Sequence, residues 1–147
     1  MGSPLLPLVA SLALAASAFL PWLRLGDVGL AGVPDPAGFF VLALGVAGVV
    51  LSAMRMFARR DTRRWLMLVG MAGLTALIVV WRTGPTTIAD RAQAHAEAVA
   101  LVDNVPMQPV PAVHIGVGVL LGLVSAAAIL AAGLSGILPR PDLSDSQ

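Results

Sequence analysis

Four apolar runs, none with a single Asp, Glu, Lys or Arg, divide the chain: Pro4 to Leu23, Ala37 to Met54, Trp65 to Trp81 and Ala112 to Leu138. Each approaches or exceeds the roughly 20 residues that carry a helix across about 30 Å of hydrocarbon. A helix satisfies its own backbone hydrogen bonds there without water. The expected fold is therefore all-α, a four-transmembrane-helix bundle in one domain over residues 1–138, with spans at about 4–23, 37–54, 65–81 and 112–138. A short tail, 139–147, carries Pro139, Pro141, Asp142 and Asp145 and is expected to be disordered. With 58% hydrophobic residues among 147, no stretch remains for a separate soluble domain.

Charge between the runs gives the expected orientation. Arg55, Arg59, Arg60, Arg63 and Arg64 crowd between the second and third runs against one acid, Asp61. The loop from Arg24 to Pro36 sets one arginine against Asp27 and Asp35, and the loop from Arg82 to Pro111 sets Arg82 and Arg91 against Asp90, Glu97 and Asp103. The positive-inside rule places the arginine-rich turn and both termini in the cytoplasm, making this a multi-pass protein of the cytoplasmic membrane. The cluster is a topology determinant first, and a site for anionic lipid or an acidic partner second. Trp22, Phe39, Phe40 and Trp81 fall at the expected outer interface, Phe57 and Trp65 at the inner one.

Ala16-Ser17-Ala18 has the small-x-small form of a signal-peptidase site. No Lys or Arg precedes Arg24, however, and the run continues through Phe19, Leu20 and Trp22, which favours a retained helix. Gly26, Gly29, Gly32, Pro34 and Pro36 read as a tight irregular connection. Thr86 to Val102 predicts a separate amphipathic extracytoplasmic helix between the third and fourth spans, because Ile88, Ala92, Ala96, Val99 and Val102 recur at helical spacing. Thr86 or Thr87 is its expected cap, and Pro106, Pro109 and Pro111 an extended link to the last span.

Chemistry is sparse. Gly118 and Gly122 make a GxxxG step continued by Ala126, with Gly116 nearby, the pattern of a close helix-packing interface within the chain or between chains. His114, one helical turn before Gly118, is the candidate cofactor residue: on a helix its ring would have room to hold a flat pigment. Asp90, Arg91, His95 and Glu97 read as a solvated helix face, since their order fits no zinc spacing. With no cysteine and no lysine, thiol and Schiff-base chemistry are excluded. The expected spans lack the intramembrane carboxylates of ion-coupled transporters. No metal or cofactor is expected, nor a nucleic-acid partner at a net charge of +1.

Phe19-Leu20-Pro21-Trp22 closing the first run, the Gly-rich outer loop, the Arg-rich inner turn and the Gly-rich entry to the last run give a layout, from Leu5 to Gly136, that resembles small four-helix membrane proteins of high-GC bacteria, notably Actinobacteria. The resemblance implies the fold alone, and the long outer segment departs from it. The expected function is that of a non-enzymatic accessory or scaffold protein among membrane lipids, packing as a homo-oligomer or against a larger membrane-protein complex. The alternative is a module that binds or transports lipid or pigment at the helix interfaces.

Overall fold

In a computed structural model of the chain, residues 5–58, 61–104, 106, 109 and 111–135 are described. Arg59, Arg60, Pro4, the end of the expected fourth span and the 139–147 tail lie outside them. The elements run α1 (Leu5–Ser17), β1 (Pro21–Leu25), β2 (Val28–Ala31), α2 (Pro36–Phe57), α3 (Arg63–Asp103), β3 (Val113–Ile115) and α4 (Val117–Leu134). The protein is mostly helical, with one small sheet. Helices α2, α3 and α4 are long and apolar enough to cross a membrane. Only 28% of the most apolar stretch of α2 and of α3, and 39% of that of α4, is buried inside the protein, so most of their apolar side chains need an apolar surround.

Local chemistry sets the helix ends. Asp35 caps α2, its Oδ1 accepting from the Ala37 amide at 2.9 Å, and Pro36 occupies the first turn, where its missing donor costs little. The connection from α2 to α3 is tied by Thr62, whose hydroxyl donates to the Leu51 carbonyl at 3.1 Å. Helix α3 closes on Asn104 in the left-handed region at φ 53°, which asparagine tolerates.

The sheet, order β2-β1-β3, is antiparallel throughout. Gly26, at φ +58°, supplies the positive dihedral of the β1–β2 turn. Strand β3 pairs Leu23 with Ile115, Arg24 with His114 and Leu25 with Val113. The Gly116 amide then donates to the Trp22 carbonyl at 2.7 Å as the chain turns into α4.

The core joins all four helices and the sheet. Leu14, Val41, Leu66, Leu77, Val119 and Ile129 are fully buried, with Trp22 and Leu23 joining them from β1. Small residues let the helices touch. Gly45 lies against the Ala15 backbone, Gly48 against Ser11, Gly70 against the Leu130 backbone and Gly133 against that of Met67.

Four expectations change. The first apolar run is not one span to Leu23: α1 is helical only to Ser17, and β1 begins at Pro21, a residue that disfavours continuing a helix because it lacks the amide donor. The irregular outer loop is a hairpin. The fourth run is strand before it is helix, because Val113–Ile115 pairs with β1. Residues 86–102 are helical, but as the continuation of α3, which passes through Pro85 unbroken. Thr86 and Thr87 cap nothing; their hydroxyls donate to the Thr83 carbonyl inside the helix, at 2.9 Å and 2.5 Å.

A Cβ at Gly116 would collide with the Pro21 carbonyl. Gly116→Ala is expected to cost at least about 2 kcal/mol through overpacking against backbone that cannot yield, whereas an asparagine at Gly26, where only Pro111 is near and the left-handed region is tolerated, should cost far less. Unfolding in mild detergent by SDS titration ranks the two; equal losses would contradict the junction described here.

Candidate functional site

The residues singled out in the sequence lie in four separate places. At one end, where α2 meets α3, stand Arg55, Arg63 and Arg64, with Arg63 Nε 3.8 Å from the exposed Asp61 carboxylate. Arg55 is half-buried and Arg64 exposed, so at least these two present charge at the arginine end.

The glycine series of α4 faces inward. A Cβ on Gly118 would stand 2.6 Å from Trp22 Cδ1, and one on Gly122 would stand 2.9 Å from Leu77 Cδ1 and 3.1 Å from Ser17 Oγ. Ala126, fully buried, lies under Gly73, whose Cβ would be 3.3 Å from its own. Gly116, Gly118, Gly122 and Ala126 therefore admit Pro21, Trp22, Leu77 and α3 of the same chain. Little of this face remains for a second molecule.

His114 is not on a helix. It sits exposed in the middle of β3, opposite Arg24 of β1, so the geometry that would have set its ring over Gly118 is absent. Asp90, Arg91, His95, Glu97 and Asp103 are all exposed along the distal part of α3, where Gln93 donates to Glu97 at 3.2 Å. Among the described residues, no three of His, Cys, Asp and Glu come together as a metal would require.

No sequence pattern marks the cavity at the sheet end. A space of about 730 Å³ opens between the β1–β2 hairpin, the start of α2 and the middle of α3. Helices α2 and α3 meet near the arginine end, where Gly48 faces Val69 and Thr62 bonds to Leu51, but toward the sheet they part around this space. Leu23, Leu30, Val79, Val80 and Ile88 give it apolar walls, and Thr83, Thr87, Asp35 and Arg91 supply the polar groups. The two charged side chains have opposite sign, yet no ion pair joins them among the described residues. The size falls within the range of about 300–1,000 Å³ typical of small-molecule sites.

Beyond the sheet, α3 continues to Asp103 with most of its side chains exposed. Its tip exposes Val99, Leu101 and Val102, the last two at 83%.

No protein-family model, curated protein or solved structure matches this chain. The functional reading therefore rests on these surfaces.

The β1–β3 register is testable because the chain contains no cysteine. Directly opposed antiparallel residues stand about 4.5–5.5 Å apart at Cα, within disulfide reach. The double variant Arg24→Cys, His114→Cys should oxidise within one chain, seen as a thiol count that falls to zero without dimer formation. Two persistent free thiols would mean that His114 is not held beside β1.

Proposed function

We propose that the protein is a multi-pass component of the cytoplasmic membrane in which all four helices form a transmembrane bundle, with both termini and the arginine end in the cytoplasm. The sheet and the distal part of α3 then stand outside. Its role on this reading is that of a non-enzymatic accessory or scaffold subunit. The exposed apolar belts of α2, α3 and α4 support the placement, as do Trp65 and Trp81, exposed at the two ends of the apolar part of α3.

The observation that carries the scaffold role is the length of α3. From Arg82 to Asp103 the helix reaches about 30 Å past Trp81 at helical rise. It packs on the sheet through Gly84, whose Cβ would lie 3.1 Å from Leu23, and through Ile88; farther on, its side chains are largely exposed. A rod held upright by the sheet and ending in Leu101 and Val102 is a docking element. Covering a leucine or valine of this kind yields about 1.5–3 kcal/mol. The glycine face of α4 serves the chain's own packing, so the partner, whether a second copy or a larger complex, engages the distal helix.

A second reading, a lipid-binding module, is favoured by the cavity at the sheet end. A pigment-binding version finds no support there, since His114 is not among the cavity's walls.

Orientation is read with single cysteines at Ala58 and Ala94. An impermeant maleimide should label position 94 in intact cells and position 58 only after lysis; the reverse pattern inverts the topology. For the scaffold role, Leu101→Asp with Val102→Asp should abolish a partner that co-purifies at fixed ratio in mild detergent, or the cross-linked dimer if the partner is a second copy. Stability of the isolated chain should change by less than about 0.5 kcal/mol, since both side chains are exposed. Recovery of the partner in full would defeat the docking role.

A further inference from the structure

We propose that the cavity at the sheet end binds one zwitterionic aminophospholipid from the outer leaflet. This rests on the membrane placement above but not on the scaffold role. The cavity extends along α3 from Val79 and Val80 to Arg91, so it passes the level of Trp81, the residue that marks the outer interface. Its lower part, below that level, is walled by Val79 and Val80, and Leu23 lines it beside Gly84, just above that level. Above that level α3 lines it with Thr83, Thr87, Ile88 and Arg91, and Asp35 lines it from the start of α2. An apolar floor at membrane depth beneath a polar rim at headgroup height fits an amphiphile standing upright in the bilayer.

The two charges select the headgroup. The Arg91 guanidinium has no partner among the described residues and presents a planar fork suited to a phosphate. Asp35 uses Oδ1 to cap α2, which leaves its second oxygen to accept from a cation. A headgroup of phosphate linked to ammonium offers a charge for each. A purely anionic headgroup would meet Arg91 favourably and Asp35 unfavourably, so the site discriminates between phosphatidylethanolamine and phosphatidylglycerol. The gap between α2 and α3 is the entry route for the acyl chains.

The test uses the full chain with Trp65→Phe and Trp81→Phe, leaving Trp22 as the fluorophore at the cavity wall. It is placed in phosphatidylglycerol nanodiscs containing increasing fractions of phosphatidylethanolamine brominated along the upper acyl chain. Trp22 emission should fall along a saturating curve, at lower lipid fractions than with equally brominated phosphatidylglycerol. Arg91→Gln should raise the half-saturation fraction about tenfold, the effect of one lost charge-assisted hydrogen bond. Asp35→Asn keeps a capping side chain and should remove the preference for ethanolamine. Thr83→Phe, at an exposed wall position, should abolish saturable quenching with helicity unchanged.

Quenching that grows in simple proportion to either bromolipid would mean bulk lipid only and overturn the proposal. A saturable preference for phosphatidylglycerol would overturn it too, as would indifference to both charge variants. In the parent chain, Trp65 and Trp81 should be quenched by either lipid; loss of that signal would overturn the membrane placement and the proposal with it.

Discussion

Trp22 is the joint on which the rest of the structure depends. Its indole Nε1 donates to the Ser17 carbonyl at 2.8 Å, tying β1 back to the end of α1. Its own carbonyl accepts the Gly116 amide and so fixes the start of α4. Its ring fills the space that Gly32 and Gly118 leave open, where a Cβ on Gly32 would come to 2.5 Å. One side chain, 4% exposed, thus brings the first helix, the hairpin, the entry to α2 and the fourth helix to a common point. A buried tryptophan whose N–H is satisfied contributes its full apolar area without leaving a polar group stranded.

The close contacts around that joint share one physical basis. Where a glycine or alanine faces a neighbouring backbone, two helices approach closely enough for many weak dispersion contacts to add up. Gly45 and Gly48 join α2 to α1, while Gly70, Gly73 and Gly133 join α3 to α4. Buried hydroxyls remain compatible with this packing when they bond back to their own helix, as Ser11 does to the Pro7 carbonyl at 2.7 Å and Ser17 to that of Leu14 at 2.6 Å. Many large apolar side chains are left to the outside. That inverts the arrangement of a water-soluble protein and matches an apolar surround.

The sequence made the long helices legible and concealed what connects them. Runs of uncharged residues mark α2, the first part of α3 and α4 by length alone. The strands are three to five residues each, too short for alternation to show, and Pro21, Gly26 and Gly29 mimic a loop. Strand β3 is hidden within an apolar run that continues into α4, and hydropathy cannot tell a buried strand from the first turn of a helix. For that reason the pattern puts His114 on a helix, where the structure sets it in β3. Trp22 carried the pattern of an interfacial anchor, since nothing local reveals that its N–H finds a partner five residues back in the chain. The inward use of Gly118 and Gly122 depends on Trp22 and Leu77, which the sequence does not place beside them.

Gly84 and Pro85 lie where the third span and the outer helix join into one, and the cavity depends on that continuity. Local rules end a helix there: glycine is a poor helix residue, and proline removes a donor. The structure continues the helix because Leu23 of β1 packs where Gly84 has no side chain, and Ile88, one turn further on, packs against the same core. Thr83 and Thr87 bond back to carbonyls on the turns flanking the proline. Continuity then carries Thr87, Ile88 and Arg91 up beside the hairpin and opposite Asp35. A break at Pro85 would have swung them away, leaving Arg91 on a loop and no wall opposite the start of α2. The same packing that overrides the local signal therefore both raises the distal helix above the sheet and shapes a sizeable space in which an apolar wall meets two charges of opposite sign that no ion pair joins among the described residues.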